Sequence, residues 1–172
     1  MNLSFATATD SNAPELTALH AAVAQSLTDK YGKGPWSSSP SERGVLNGMR
    51  MPKFSRTLVA RNGRRIVGCL RLATKKPWAI DTAYFTQAET PLYLTGMAVQ
   101  PGLQGQGIGR LLLQEAEAIA RAWPADAIRL DAFDAAAGAG QFYAKCGYRE
   151  VAHVRYKGNP LIYFELLLQQ QP

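Results

Sequence analysis

Apolar and polar positions along the chain follow two different periods, and these periods predict the order of the secondary structure. Short runs that are mostly apolar, or that alternate with polar residues between turn signals, predict β-strands. Runs with apolar side chains three or four positions apart predict α-helices. The strands are expected at residues 3–9, 56–61, 66–73, 92–100, 127–133, 148–156 and 161–168. The helices are expected at about 13–28, 41–49 and 108–123, with a short one before residue 142.

Glycine, proline and polar residues mark the connections between these elements. Asn62-Gly63 is a strong signal for a tight hairpin, and Gly158-Asn159-Pro160 predicts a second turn. Residues 32–40 are rich in Gly, Pro and Ser and form a loop. Residues 75–91 are long for a structureless connection, which predicts a functional loop or an extra helical turn. The tail at residues 169–172 is expected to fray.

The composition is that of an ordinary globular protein. Of the 172 residues 47% are apolar and 19% are charged, which is most simply one domain over residues 1–172. No apolar run is long enough to span a membrane, and no signal peptide is visible. Cys69 and Cys146 are expected to be buried and reduced, which favours the cytoplasm. His20 and His153 have no companions at metal-ligand spacing, so we expect packing or surface roles and no metal.

The net charge of +6 restricts the class of partner only weakly. A basic protein attracts polyanions, but the basic residues are spread over strands and turns without a nucleic-acid-binding motif. A small polyanionic ligand explains part of the charge equally well, and an ordinary solvated surface is the alternative. We therefore expect neither nucleic acid nor a membrane as a partner.

Residues 92–110 carry the clearest chemical signal in the chain. They form an apolar strand, a Pro-Gly turn, a glycine-rich loop and the start of a helix near Ile108. Glycines at 105, 107 and 109 let the backbone approach a ligand closely, and the free N–H groups of a first helical turn favour an anion. The segment lacks the Lys and Ser/Thr of a P-loop, and its third glycine is one place early for a dinucleotide fingerprint. The pattern therefore predicts a phosphate site of another kind.

Two motifs in this order resemble those of the GNAT acetyltransferase superfamily. The first, Gln104-x-x-Gly107-x-Gly109, is similar to its pyrophosphate loop. The second, the run from Phe142 to Tyr148, is similar to its Phe-Tyr-x-Lys-x-Gly-Phe motif, and both lie within residues 92–148. The resemblance is good over residues 56–168 and holds in outline over 1–55. It implies an α/β GNAT acyl-CoA N-acyltransferase fold: a central, mostly antiparallel sheet with splayed central strands and helices on both faces.

The resemblance also implies roles for residues of these motifs. Acetyl-coenzyme A would be the co-substrate, its pyrophosphate bound by the N–H groups of Gln104, Gly105, Gln106, Gly107, Ile108, Gly109 and Arg110. The backbone of Met97, Ala98 and Val99 would pair with the pantetheine arm like an added strand, and one of their N–H groups would polarise the thioester carbonyl. Tyr143 lies where the superfamily has its general acid, while Phe142 is expected in the core.

The sequence departs from the superfamily's pattern at two positions. Ala136 stands where relatives often have an Asn that binds the pantetheine arm, and Asp134 or Gln141 are candidate substitutes. Tyr93 stands where the histone-type branch has a basic Glu, so the general base is unassigned. The candidates are the carboxylates of Asp131, Asp134 and Glu89, or a water held by Tyr93 or Thr95.

The resemblance implies an N-acetyltransferase that acts on a primary amine of a small molecule or peptide, by direct attack in a ternary complex. A non-catalytic coenzyme A-binding or sensing module is the alternative, and a nucleic-acid binder ranks far behind. The acceptor would be shaped by residues 28–51 and 75–91. Four aromatic residues there are candidates for an apolar pocket, although packing suits at least half of them: Trp36, Trp78, Tyr84 and Phe85. Dimers are common among similar proteins, so a homodimer through the last two strands is compatible with the resemblance.

Overall fold

Seven strands form one mixed sheet in the computed structural model, which describes residues 1–169. The strands are β1 (Leu3–Thr7), β2 (Ser55–Asn62), β3 (Arg65–Ala73), β4 (Pro91–Val99), β5 (Ala127–Phe133), β6 (Arg149–Tyr156) and β7 (Asn159–Leu167). Their spatial order is β1-β2-β3-β4-β5-β7-β6. Neighbouring strands are antiparallel except β4 and β5, which run parallel. The predicted central, mostly antiparallel sheet is confirmed.

Helices cover both faces of the sheet, as the resemblance implies. They are α1 (Ala13–Tyr31), α2 (Glu42–Met49), α3 (Ile108–Ala122) and α4 (Gly140–Lys145). On one face, α1 and α2 bury Leu16 and Met49 against β2 and β3. On the other face, α3 and α4 bury Leu112 and Tyr143 in the larger core. None of the helices within residues 1–169 is long and apolar enough to cross a membrane.

The parallel pair at the centre of the sheet separates after three residue pairs. Residues 91–93 of β4 pair with residues 127–129 of β5, and the pairing ends there. In the part of the chain that the structure describes, the rest of β4 pairs only with β3, and the rest of β5 pairs only with β7. The two strands therefore splay and leave a gap in the middle of the sheet, as the resemblance implies.

A bulge at Gly96 decides which face of β4 each side chain occupies. Across the ladder with β3, β4 carries one extra residue at this point, and Gly96 has a left-handed backbone with φ +59°. Side chains of a regular strand alternate between the two faces. The extra residue shifts this alternation, so that Met97 packs on the α3 side and Ala98 on the α1 side. The bulge borders the gap.

The segment between β3 and β4 packs against the sheet. It contains one turn of 3-10 helix, Thr82–Tyr84, which confirms the extra helical turn as one of the two predicted outcomes. Phe85 stacks on Tyr163 of β7 with ring centroids 5.1 Å apart. The buried carboxylate of Glu165 accepts from the Thr86 N–H at 3.3 Å and from its hydroxyl at 2.6 Å. These contacts fix the segment over the half of the sheet that contains β5–β7.

The predicted order of strands and helices is confirmed, but both hairpin turns are displaced along the chain. Asn62 pairs with Arg65, so the first turn is Gly63-Arg64. The prediction of a turn at Gly158-Asn159-Pro160 is wrong, because Asn159 already pairs with Tyr156. The turn consists of Lys157 and Gly158, whose φ angles are 48° and 80°. Two positive φ angles in succession give the tightest hairpin connection. Residues 170–172 of the tail that was expected to fray lie outside the described residues.

Candidate active site at the gap in the sheet

A cavity of about 390 Å³ lies where β4 and β5 separate. Its walls come from α1, the 35–40 loop, the two splayed strands and the 137–139 loop. Three of the lining side chains can exchange a proton: His20, Asp131 and Tyr143. Over residues 1–169, no three His, Cys, Asp or Glu side chains are grouped to hold a metal ion. The cavity is of a size that admits a small organic ligand.

Tyr143 reaches the gap from the α4 side. Its buried phenol donates a hydrogen bond to the sulfur of Met97 at 3.5 Å, and Tyr148 packs edge-on against its ring at 5.9 Å. Burial raises the pKa of Tyr143, and the electrostatic effects of Asp131 and Cys146 raise it further. The phenol is therefore protonated at neutral pH and is held in one orientation.

Asp131 enters the cavity from β5 on the opposite face of the sheet. Its neighbours Leu130 and Ala132 pack in the α3 core, so the alternation along β5 turns the carboxylate toward α1. Burial raises its pKa. Among residues 1–169, no Lys, Arg or His nitrogen lies within 4.0 Å of it. A partly buried carboxylate without a cationic partner is a candidate ligand for an ammonium group or a proton acceptor.

His20 of α1 lies beside the bulge. Its Nε2 atom is 3.7 Å from the sulfur of Cys69, and a methyl group at Gly96 would lie 3.7 Å from its Cε1. Burial lowers the pKa of His20, and the positive charge of Arg71 lowers it further. Burial also raises the pKa of the Cys69 thiol to about 12. The two side chains are therefore a neutral imidazole and a thiol, not an ion pair.

The glycine-rich loop directly follows the end of β4 that borders the gap. Gly105 and Gly107 have left-handed backbones with φ 78° and 87°, and Gly107 is the N-cap of α3. Within the described part of the chain, the N–H groups of residues 105–110 have no hydrogen-bond acceptor. The side-chain amide of Gln104 donates to the Val99 carbonyl at 3.1 Å and so ties the loop to β4. The loop presents a row of free donors at the positive end of the α3 dipole.

The last residues of β4 differ in the direction of their backbone groups. Gln100 donates its N–H to the Val67 carbonyl of β3 at 2.8 Å. Because N–H groups alternate in direction along a strand, the N–H of Val99 faces the gap and that of Ala98 faces β3. Met97 and Ala98 contribute to the cavity wall. The gap is therefore bordered by a strand edge with backbone groups free to pair.

Two glycines permit close packing on either side of the gap. A methyl group at Gly109 would lie 3.0 Å from Cζ of Phe142 and 3.3 Å from Cε of Met97, so α3 begins in direct contact with both. Phe142 packs against the core, as expected. A methyl group at Gly138 would lie 1.8 Å from the carbonyl oxygen of Phe133. Without a side chain there, the 137–139 loop folds back over the end of β5 and forms one wall of the cavity.

Most of the candidate bases named from the sequence lie outside the cavity or are engaged. Tyr93 is buried, and its hydroxyl accepts from an arginine of β5 at 3.3 Å. Asp134 is exposed and lies 3.0 Å from a histidine of β6. Glu89 is exposed in the segment before β4. Thr95 lines the cavity, but its hydroxyl accepts from an arginine of β3 at 3.2 Å. Asp131 is the carboxylate that the fold brings to the gap.

One of the four aromatic residues named from the sequence, Trp36, lines this cavity. Its ring meets Phe133 edge-on, with centroids 6.0 Å apart and planes at 73°. Trp78 is 85% exposed, Tyr84 is half exposed, and Phe85 is buried against β7. Packing and surface roles thus account for the other three.

The sequence did not identify the contribution of α1 to the cavity. The inner face of that helix carries His20, Val23 and Leu27. A helical period in the sequence does not distinguish side chains that border a cavity from those in a core. A signal did exist for the bulge at Gly96, because an isolated glycine in a strand pattern often marks one.

Comparison with solved structures supports the fold. The yncA protein of Salmonella typhimurium, solved with its cofactor acetyl-CoA, has a TM-score of 0.72 and 16% identity, over 98% of this chain and 95% of that one. The PaiA N-acetyltransferase of Thermoplasma acidophilum, in complex with coenzyme A, has a TM-score of 0.71 and 15% identity, over 95% and 98%. Ribosomal-protein-alanine N-acetyltransferase from Brucella melitensis has a TM-score of 0.71 and 18% identity, over 96% and 99%.

Comparison by sequence gives the family. No curated protein matches the chain significantly. The acetyltransferase (GNAT) family matches residues 20–148, which is most of the chain and includes both splayed strands, the glycine-rich loop and α4. The chain therefore belongs to the acetyltransferase (GNAT) family.

Proposed function

We propose that this chain transfers an acetyl group from acetyl-coenzyme A to the primary amine of an acceptor bound in the cavity, by direct attack in a ternary complex. One observation carries the proposal: the carboxylate of Asp131 and the buried phenol of Tyr143 line the cavity at the gap, and the free N–H donors at residues 105–110 follow the end of the strand β4 that borders it. A thioester that carries a diphosphate needs an anion site, and its transfer to an amine needs a proton acceptor and a proton donor.

Residues 105–110 fit the diphosphate of coenzyme A. Their N–H groups lack acceptors within residues 1–169, and the N-terminus of a helix favours a phosphate group. Two structures of similar fold contain acetyl-CoA or coenzyme A. In this proposal the N–H of Val99 binds an amide of the pantetheine arm, as an edge strand binds an added strand. An N–H of the same edge polarises the thioester carbonyl, a contact whose loss typically costs about 3 kcal/mol of barrier.

Asp131 is the proton acceptor in this proposal. Its carboxylate binds the incoming ammonium group and takes one proton from it, which leaves the nitrogen lone pair free to form the new C–N bond. Burial raises the pKa of Asp131, so its basicity is closer to that of the amine than that of a solvated carboxylate. Its place on the α1 side leaves the opposite side of the gap to the thioester.

Tyr143 is the proton donor. After the C–N bond has formed, the nitrogen loses its second proton to solvent. As the C–S bond breaks, the hydroxyl of Tyr143 protonates the leaving sulfur, and the proton held by Asp131 returns to Tyr143 through solvent. The charge of Asp131 contributes, after burial, to the raised pKa of Tyr143. Once Asp131 has accepted the proton of the amine, that charge is gone and the phenol is a stronger acid. Proton uptake on one side of the gap thus favours proton release on the other.

The test combines calorimetric titration with acetyl-coenzyme A and an assay of thiol release with amines. We expect Tyr143→Phe to lower kcat about 100-fold, because it removes one hydroxyl and leaves the ring in place. The affinity for acetyl-coenzyme A should change little. Tyr84→Phe is the matched control, since Tyr84 is exposed and lies outside the cavity.

An unchanged rate in Tyr143→Phe would remove Tyr143 from the reaction. Absence of acetyl-coenzyme A binding at millimolar concentration would refute the proposed function. Binding without thiol release across a broad panel of amines would instead favour a coenzyme A-binding or sensing module.

A further inference from the structure

We infer that the acceptor is a small monoamine whose single positive charge sits on a compact apolar or aromatic body. The inference rests on the proposed function, because it concerns the occupant of the same cavity. It follows from the charges that line the cavity, from its apolar walls and from its size.

The cavity offers one negative charge and no permanent positive charge. Asp131 is its only acidic lining residue among those described, and no Lys or Arg lines it. Burial lowers the pKa of His20 and the charge of Arg71 lowers it further, which favours the neutral imidazole. A second ammonium group of a polyamine or an aminoglycoside would be desolvated there without an anionic partner, which is unfavourable. The carboxylate of an amino acid would likewise meet no cation and would lie near Asp131.

Most of the remaining lining side chains are apolar, and the uncharged polar ones are Ser38, Ser39 and Thr95. Val23 and Leu27 of α1 form one side, and Trp36 and Phe133 form another. The two rings meet edge-on at 6.0 Å, which leaves aromatic and aliphatic surface facing the cavity. Side chains of this kind contribute affinity through the apolar area that a ligand buries against them.

The size of the cavity limits the acceptor further. Its volume of about 390 Å³ is near the lower end of the range for small-molecule sites. Met97, Ala98 and Tyr143 also line it, so the same space must hold the acetyl end of the co-substrate. The share left on the α1 side suits one ring or a short alkyl chain next to the amine, not a body of several sugar rings.

Matched pairs of amines test the inference. Pentylamine and 1,5-diaminopentane differ in a second ammonium group, and 2-phenylethylamine and phenylalanine differ in a carboxylate. We expect kcat/KM from thiol release to be about 100-fold higher for the first member of each pair. The α-amino group of phenylalanine has a lower pKa than the amine of 2-phenylethylamine, so a larger fraction of it is unprotonated at the same pH. This difference favours phenylalanine and therefore acts against the expected order. Spermidine and kanamycin complete the panel.

Substitutions at two tryptophans test the apolar wall. We expect Trp36→Ala to raise KM for 2-phenylethylamine about tenfold and to leave the affinity for acetyl-coenzyme A unchanged. Trp36→Phe should retain most of the activity, which separates the loss of the wall from the loss of the hydrogen bond that Trp36 donates to the Gly32 carbonyl. Trp78→Ala is the control, because Trp78 is 85% exposed and lies outside the cavity.

The outcomes separate this inference from the proposed function. Preference for the diamine, phenylalanine, spermidine or kanamycin over the monoamines would overturn the inference, while the thiol release itself would uphold acetyl transfer. Binding of acetyl-coenzyme A with no thiol release from any of these amines would also overturn it. Failure to bind acetyl-coenzyme A would refute the proposed function instead.

Discussion

The ionised carboxylate of Asp131 destabilises the folded chain, although the proposed reaction requires it. Burial raises its pKa in the folded chain, so the folded chain holds this proton more tightly than the unfolded chain does. Its contribution to stability is therefore greatest below the ordinary pKa of 3.8 and is lost as the pH rises through the raised value. At neutral pH the ionised carboxylate lowers the free energy of unfolding.

We expect Asp131→Asn to stabilise the chain at pH 7 and to inactivate it. The amide keeps the shape of the side chain without the buried charge, so the midpoint of thermal unfolding should rise at pH 7 and change less toward pH 4. The turnover should fall about 100-fold or more, because the proton acceptor is missing. Calorimetric melting curves at both pH values and thiol release at saturating amine measure the two effects.

Asp29→Asn is the matched control, since Asp29 is exposed near the end of α1 and its carboxylate accepts a hydrogen bond from Gln25 at 2.7 Å. It should change neither property. Retained turnover in Asp131→Asn would show that another group takes the proton. A lower melting midpoint at pH 7 would show that the carboxylate is stabilised by a partner in solution.

The sequence predicts Tyr143 as a site residue but does not predict which residues lie around it. Tyr143 lies in a local motif, which a single segment of chain can reveal. Asp131 was one of several candidate bases, and His20 was expected only to pack or to lie on the surface. Their meeting in one cavity depends on the splay of β4 and β5 and on the docking of α1. Contacts between distant segments depend on the tertiary structure, and no local sequence pattern predicts them.

At the scale of a single element, the bulge in β4 sets the geometry of the gap. Gly96 has φ +59°, and its extra residue turns Met97 toward Tyr143 and Ala98 toward α1. A side chain at this backbone angle is strained by roughly 1 kcal/mol. A regular strand without the bulge would reverse the faces of both residues.

We expect Gly96→Ala to impair acetyl transfer and Gly63→Ala to leave it intact. Gly63 has nearly the same φ, +61°, in the β2–β3 turn, with nothing within 4 Å of an added methyl group. Both variants should therefore lose roughly 1 kcal/mol of unfolding free energy in urea titrations. Gly96→Ala alone should lower kcat/KM, by about tenfold or more, because small displacements of positioning groups have large effects on rate.

Equal activity of the two glycine variants would show that the bulge has no part in the reaction. A large loss of stability in Gly96→Ala alone would point instead to a clash with His20, although the built methyl group lies 3.7 Å from that ring.

Element types were predictable because period and turn residues are local properties. Asn62-Gly63 indicated the β2–β3 hairpin, although Asn62 pairs with Arg65 and the turn itself is Gly63-Arg64. The Lys157-Gly158 turn was missed because a lysine at positive φ is uncommon. The resemblance implied the splay, but no periodicity indicates where two strands part. The free donors at residues 105–110 were predictable from glycine spacing together with the helix that follows.

At the scale of the whole molecule, the sheet consists of two halves with a narrow connection. Strands β1–β4 and β5–β7 are joined by three residue pairs between β4 and β5, and α3 packs across both. In the proposed function the co-substrate occupies the gap and contacts the free edge of β4. Ligand bound there would bridge the halves and stabilise the folded state by mass action.

We expect acetyl-coenzyme A to raise the free energy of unfolding by about 2.7 kcal/mol at 100 times its Kd. The pairing proposed for the gap makes a local prediction as well. Hydrogen exchange at the Val99 N–H, which faces the gap, should slow more than the stabilisation alone explains. Exchange at the neighbouring Gln100 N–H, already bonded to the Val67 carbonyl at 2.8 Å, should slow only in proportion to that stabilisation. Equal slowing at both positions would mean that the ligand does not pair with the edge of β4, since the Val99 N–H is the one of the two that would gain a hydrogen bond to the ligand.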